Sequence, residues 1–203
     1  IDDRAYQLAY FAVMMKARQY NRRIFNEHIM PNLMAVKNTG TISKYALKRL
    51  GEHEKLAKRL MDDFTDAEEY GSILDDHYSA EALDTLQEKI TAINEFEDIP
   101  DLLAQMECGE CKSVVEPLIR QARIMGQKYD VVITNPPYMG ASGMSAKLSD
   151  FVKKNFPDSK ADMFAVFIEK CGMMLKKNGY QAMITQQAWM FLSSYEKLRN
   201  KLQ

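Results

Sequence analysis

Three cysteines in 203 residues, Cys108, Cys111 and Cys171, are too few for the disulfide framework of a small secreted domain. No apolar stretch approaches the roughly 20 residues that a membrane-crossing helix needs, and no secretory leader opens the chain. These absences point to a reducing, cytoplasmic setting with no membrane partner. Internal repeats and low-complexity segments are missing. Cys108 and Cys111 are a lone C-x-x-C. Zinc takes four ligands, Cys171 sits on an apolar helical face, and His28, His53 and His77 have no Cys or carboxylate at ligand spacing. No metal is expected. No G-x-G turn links a strand to a helix; "GASG" at 140–143 comes after a strand-end loop and reads as flexible loop.

What is present is an ordinary globular composition, 46% hydrophobic and 27% charged, with no targeting segment. The chain opens at Ile1 straight into a helical pattern, which reads as a piece of a larger protein. Charge is uneven. From Lys128 onward there are eleven Lys/Arg and six Asp/Glu, net +5, against sixteen and twenty-two before it, net -6. The basic half suits a phosphate-bearing partner as well as a solvated lysine face.

Residues 4–20 predict an amphipathic helix with Leu8, Phe11, Ala12 and Met15 on one face, capped by Asp2 or Asp3 and running on towards His28. Pro31 and "KNTG" break the pattern. Residues 43–62 read as a charged helix. Thr65 with Glu68, Ser113 with Glu116 and Ser159 with Asp162 have capping-box spacing. "GSIL" at 71–74 is either a strand or a turn. Leu83, Leu86, Ile90 and Ile93, then Val115, Leu118, Ala122 and Met125, repeat a narrow apolar seam, which predicts an antiparallel helical pair over roughly 79–126. The second of these helices restarts after "IP" and is capped at Ser113.

From residue 128 the character changes. "YDVVIT" is a short apolar strand of the kind covered on both faces in a parallel sheet. A helix follows, with Phe164, Phe167, Ile168, Cys171, Met174 and Leu175 on one face, closed by Lys176 to Gly179. "YQAMIT" is the next strand, and "SSYEKLRNKLQ" begins another helix. Strand, helix, strand and helix in this order predict an α/β fold whose ligands sit at the carboxyl ends of the strands. Trp189 reads as an anchor of the last strand–helix junction.

The strand "YDVVIT" runs directly into Asn135, Pro136, Pro137 and Tyr138. An amine attached to an aromatic base is a poor nucleophile, because its lone pair is delocalised into the ring. Two acceptors that take both N–H hydrogens draw that nitrogen towards tetrahedral geometry. The Asn135 side-chain oxygen and the Pro136 carbonyl are such a pair. Consecutive prolines hold the carbonyl rigidly and remove competing donors. Tyr138 supplies a flat face for the ring. No strong base is needed, and catalysis becomes positioning and electrostatics.

"NPPY" at a strand end resembles the target-amine motif of S-adenosylmethionine-dependent methyltransferases, especially adenine-N6 DNA methyltransferases. "DMFAVFIEKCGMMLKKNGYQAMIT", "WMFLSSYEKLRNKL" and "IDDRAYQLAYFAVMMKA" look like neighbouring segments of the adenine-specific class found in phage-defence systems of the PglX/BREX type and in type II restriction-modification methylases. The resemblance covers residues 1–30 and 128–203. It implies a Rossmann-like sheet with a large helical insertion. Residues 1–30 would follow its second strand, 31–127 would be the insertion, and 128–203 the catalytic-strand part. It implies DNA as partner, with defence-system or restriction subunits beside it, and S-adenosylmethionine as cofactor. The cofactor-binding residues are expected upstream of Ile1, so residues 1–203 alone are expected to bind the cofactor weakly and to be inactive. RNA guanine or protein glutamine as the acceptor, and a non-catalytic DNA- or protein-binding module, are the rival readings.

Overall fold

The computed structural model describes residues 3–74, 78–94 and 101–202; Asp2, His77 and the "IP" of 99–100 lie outside them. Among these residues the protein is mostly helical, with one small sheet.

Helix α1 (Asp3–Tyr20) stops at Tyr20 and gives way to a turn ending at His28, whose φ is 51°. The side it turns inward carries Tyr6, Tyr10 and the buried Met14, with the Tyr10 hydroxyl 3.1 Å from the Met30 sulfur. The face expected to be buried is bare instead, with Leu8 and Phe11 exposed. The helix is apolar on two sides, and periodicity marks an apolar stripe without saying what covers it.

Helices α2 (Lys44–Arg49) and α3 (Glu54–Asp63) are separated by Gly51 at φ 60°, so the charged 43–62 segment bends where only glycine is at ease. Ser43 caps α2 by accepting from the Ala46 amide. The Thr65–Glu68 capping box does not form: the Thr65 hydroxyl donates to the Met61 carbonyl, and the Glu68 amide goes to Asn38. α4 (Ala67–Tyr70) ends at Gly71, φ 57°, and 71–73 is one turn of 3-10 helix rather than a strand.

Helix α5 (Ala80–Asn94), capped by Ser79, buries Leu83, Leu86 and Ile90 against Leu118 and Ala122 of α7 (Glu116–Gly126) and against Val115 just before it. Gln87 meets Glu116 and Asp84 meets Arg123, so the two helices run antiparallel as the seams required. The break at Ser113 is absent. α6 (Leu102–Glu110), capped by Asp101, passes into α7 through a π-turn at Cys111–Val115. Pro117 has no N–H and its ring crowds the carbonyl four residues back, on Ser113. A wide turn relieves this without ending the helix. Ser113 donates its hydroxyl to the Glu110 carbonyl instead of capping.

All three cysteines are buried. The Cys111 thiol donates to the Ala46 carbonyl at 3.0 Å, and burial pushes it up to about 11; burial also raises Cys171. A thiol reagent at pH 8 should therefore label the folded protein negligibly and label all three only after denaturation; fast labelling of folded protein would contradict this packing.

Strand β1 (Tyr129–Thr134) pairs in parallel with β2 (Leu175–Met183). Between them lie α8 (Ala146–Asn155) and α9 (Met163–Met173). Lys176 to Gly179 do not close α9. They belong to β2 as a bulge, in which these four residues stand opposite Asp130 of β1. Asn178 takes φ 66°, and Gly179 lets the chain fold tightly, since a Cβ there would come 3.0 Å from the Asp130 carbonyl. Among the described residues the sheet is not covered on both faces: Val131, Ile133 and Tyr180 are exposed. The chain ends in α10 (Ala188–Phe191) and α11 (Glu196–Leu202). No helix among the described residues is long and apolar enough to cross a membrane.

Candidate functional site

β1 ends at Thr134, and Asn135 to Tyr138 follow with no helix or strand of their own. The Asn135 side chain is exposed and has no hydrogen-bond partner among the described residues. Pro136 is buried and its carbonyl accepts no backbone hydrogen bond there, while Pro137 is exposed. An amide oxygen and a neighbouring carbonyl thus stand uncommitted at the carboxyl end of the strand. Burying the first proline ring anchors the pair.

Tyr138 is half exposed and held from two sides. Its hydroxyl donates to the Ile184 carbonyl at 2.9 Å, just past the end of β2. Its ring meets Phe164 edge-on, with centroids 6.2 Å apart and planes at 75°. This fixes the ring while leaving surface free for stacking. Ile184 was not legible as a site residue, because it contributes only its backbone carbonyl.

The rest of the loop is bound to the start of α9. Gly140 bridges Asp162, the Ala141 amide donates to the Ala161 carbonyl, and the Met163 amide donates to the Met139 carbonyl. Asp162 caps α9 itself, accepting from the Phe164 amide. The capping box with Ser159 therefore does not form. Ser159 is buried and donates to Glu169, whose other oxygen meets Lys201, and Lys201 also pairs with Asp158. Lys201 holds the Asp158 carboxyl below the usual range. Tyr195, beside Phe164, is pushed up by burial and then by the Asp162 charge, so its phenol stays neutral.

Trp189 anchors the turn after β2 as expected: its indole donates to Thr185 and its carbonyl accepts from Arg199, which also holds the Leu192 carbonyl. Two cavities flank residues 33–34. The larger, about 810 Å³, lies by α7 and is lined by Lys112, Arg120 and Gln121, with no residue of the 135–138 loop in its wall. The smaller, about 540 Å³, backs onto Pro137 and Met139. Asn135 and Tyr138 line neither and present an open face. Among the described residues no group of three or more His, Cys, Asp or Glu is placed to hold a metal ion. Among the described residues no glycine-rich strand-to-helix turn is present to take a nucleoside.

A family model described as Eco57I restriction-modification methylase matches residues 1–203. The chain is 38% identical over its whole length to the adenine-specific methyltransferase BrxX of Escherichia coli O9:H4 (strain HS), and 37% to the adenine-specific methyltransferase PglX of Lacticaseibacillus casei (strain Zhang). It spans 18% and 17% of their lengths. Over 45% of the chain it is 31% identical to the type II methyltransferase M.VspI of Vibrio sp. (strain 343), covering 23% of that protein.

Proposed function

We propose, from the premise that this chain belongs to the Eco57I restriction-modification methylase family, that it is the catalytic-strand part of an adenine-N6 DNA methyltransferase of a restriction-modification or phage-defence system. The observation that carries this reading is the uncommitted acceptor pair of Asn135 and Pro136 beside the held ring of Tyr138. The relatives named adenine-specific methyltransferases support the choice of base. In this reading β1 and β2 belong to a Rossmann-like sheet, residues 31–127 are an insertion, and the donor is S-adenosylmethionine.

An adenine inside a duplex cannot reach this strand end, so it is flipped out at a cost of a few kcal/mol. Stacking on Tyr138 returns about 1–3 kcal/mol of that. The Asn135 side-chain oxygen accepts one hydrogen of the N6 amine and the Pro136 carbonyl accepts the other. The nitrogen lone pair is then directed away from the ring. The donor supplies an electrophilic methyl group. Once the nitrogen carries positive charge its proton is acidic and leaves towards water, which is why the loop needs no base.

The test offers the full-length parent, with labelled S-adenosylmethionine, to duplex DNA, RNA and a protein mixture, and identifies the product by mass spectrometry. N6-methyladenine from DNA is expected. Label on RNA guanine or protein glutamine would replace the substrate, and no label on any of the three would favour a non-catalytic binding module.

A further inference from the structure

One carboxylate serves both the active loop and the helix beneath it. Asp162 Oδ1 accepts the Phe164 amide at 3.2 Å, which is an ordinary helix cap, and also the Met139 amide at 3.1 Å. The Met139 amide belongs to the peptide that leaves Tyr138. Asp162 Oδ2 faces the next residue, where a Cβ on Gly140 would lie 3.8 Å from it. Phe164, held by the same oxygen, is the residue whose ring edge meets Tyr138. A cap alone needs only the Phe164 bond. Asp101, which caps α6, makes only that kind of bond among the described residues, to the Leu103 amide at 3.0 Å.

We propose that Asp162 is a positioning residue for the reaction: through one oxygen it sets the Tyr138–Met139 peptide and the Phe164 backbone together, and so fixes the tilt of the stacking ring over which the target base lies. It touches neither the base nor the donor. The inference rests on the function proposed above. It predicts a defect in turnover rather than in binding, because the exposed surface around the loop is unchanged while the angle of the held ring relaxes.

The experiment uses the full-length parent with Asp162→Ala, Asp162→Ser, Asp162→Asn and Asp101→Ala, measuring kcat, KM for DNA and Tm. Asp162→Asn keeps the acceptor oxygen and should restore most of the turnover. Asp162→Ser keeps a good helix cap, but its hydroxyl sits one bond too short to reach the loop as well. Asp162→Ala and Asp162→Ser should each lose about tenfold or more in kcat, with KM for DNA nearly unchanged. Asp101→Ala should lower Tm by the loss of an Asp cap, yet leave kcat intact. The proposal is overturned if Asp162→Ser turns over like the wild type, or if Asp162→Asn is as slow as Asp162→Ala. The absence of N6-methyladenine in the DNA treated with wild type, or full methylation by Asn135→Ala, instead sinks the underlying function.

Discussion

On the proposed function, Asn135→Ala in the full-length parent should lower methyl transfer to DNA by two or more orders of magnitude, about 3 kcal/mol of transition-state stabilisation. The size follows from where the interaction acts. In that reaction the Asn135 oxygen would gain most as positive charge grows on the amine nitrogen, so its loss should fall on kcat more than on binding. The fold should not register the change, because the side chain is exposed and bonds to none of the described residues. Steady-state kinetics with a melting curve on the same sample separates the two effects. Near-normal methylation would remove Asn135 from the reaction, and a large fall in Tm would mean that it holds the loop rather than the substrate.

Phe164→Ala should be the most damaging change near the site. The ring is fully buried, lies 6.0 Å from Tyr195 and packs with Ile168 and Leu198, which tie α9 to α11. Truncating a buried Phe to Ala costs about 3–5 kcal/mol through lost burial and the cavity left behind. That is a large share of the stability of most domains. Chemical denaturation of wild type and variant measures it directly. Phe164→Leu refills most of the volume and should recover much of the loss. Tyr138 also loses its edge contact in both variants, so turnover should stay depressed in Phe164→Leu even where stability returns. A cost below about 1 kcal/mol for Phe164→Ala would mean the site collapses to fill the gap.

Much of this is readable in the residues themselves. "YDVVIT" is strand from its first residue to its last, because a short apolar run followed by two prolines has few other choices. The seam of Leu83, Leu86 and Ile90 against Leu118 and Ala122 was fixed by spacing. The errors came where local signals compete. Ser113 and Glu116 looked like a helix start, yet Pro117 could be absorbed by a wide turn inside a longer helix. Lys176 to Gly179 looked like a helix end, yet the same left-handed Asn178 and tight Gly179 serve a bulge equally well. Ser159 looked like a cap until Glu169, ten residues away, claimed its hydroxyl. Asn135 to Tyr138 stand out as a candidate site because their chemistry is written in consecutive residues. The grip of Ile184 on Tyr138 does not, since a backbone carbonyl leaves no mark on the residue type.

Only one side of β1 is occupied among the described residues, the side taken by β2. Neighbouring strands lie about 4.8 Å apart, so a further parallel strand joining the vacant margin would bring its own terminal turn almost alongside Asn135. The opposite flank is already closed by Ile184 and the phenol it holds. On the proposed function, a base laid on the exposed part of the Tyr138 ring would meet the amide from the side away from Ile184.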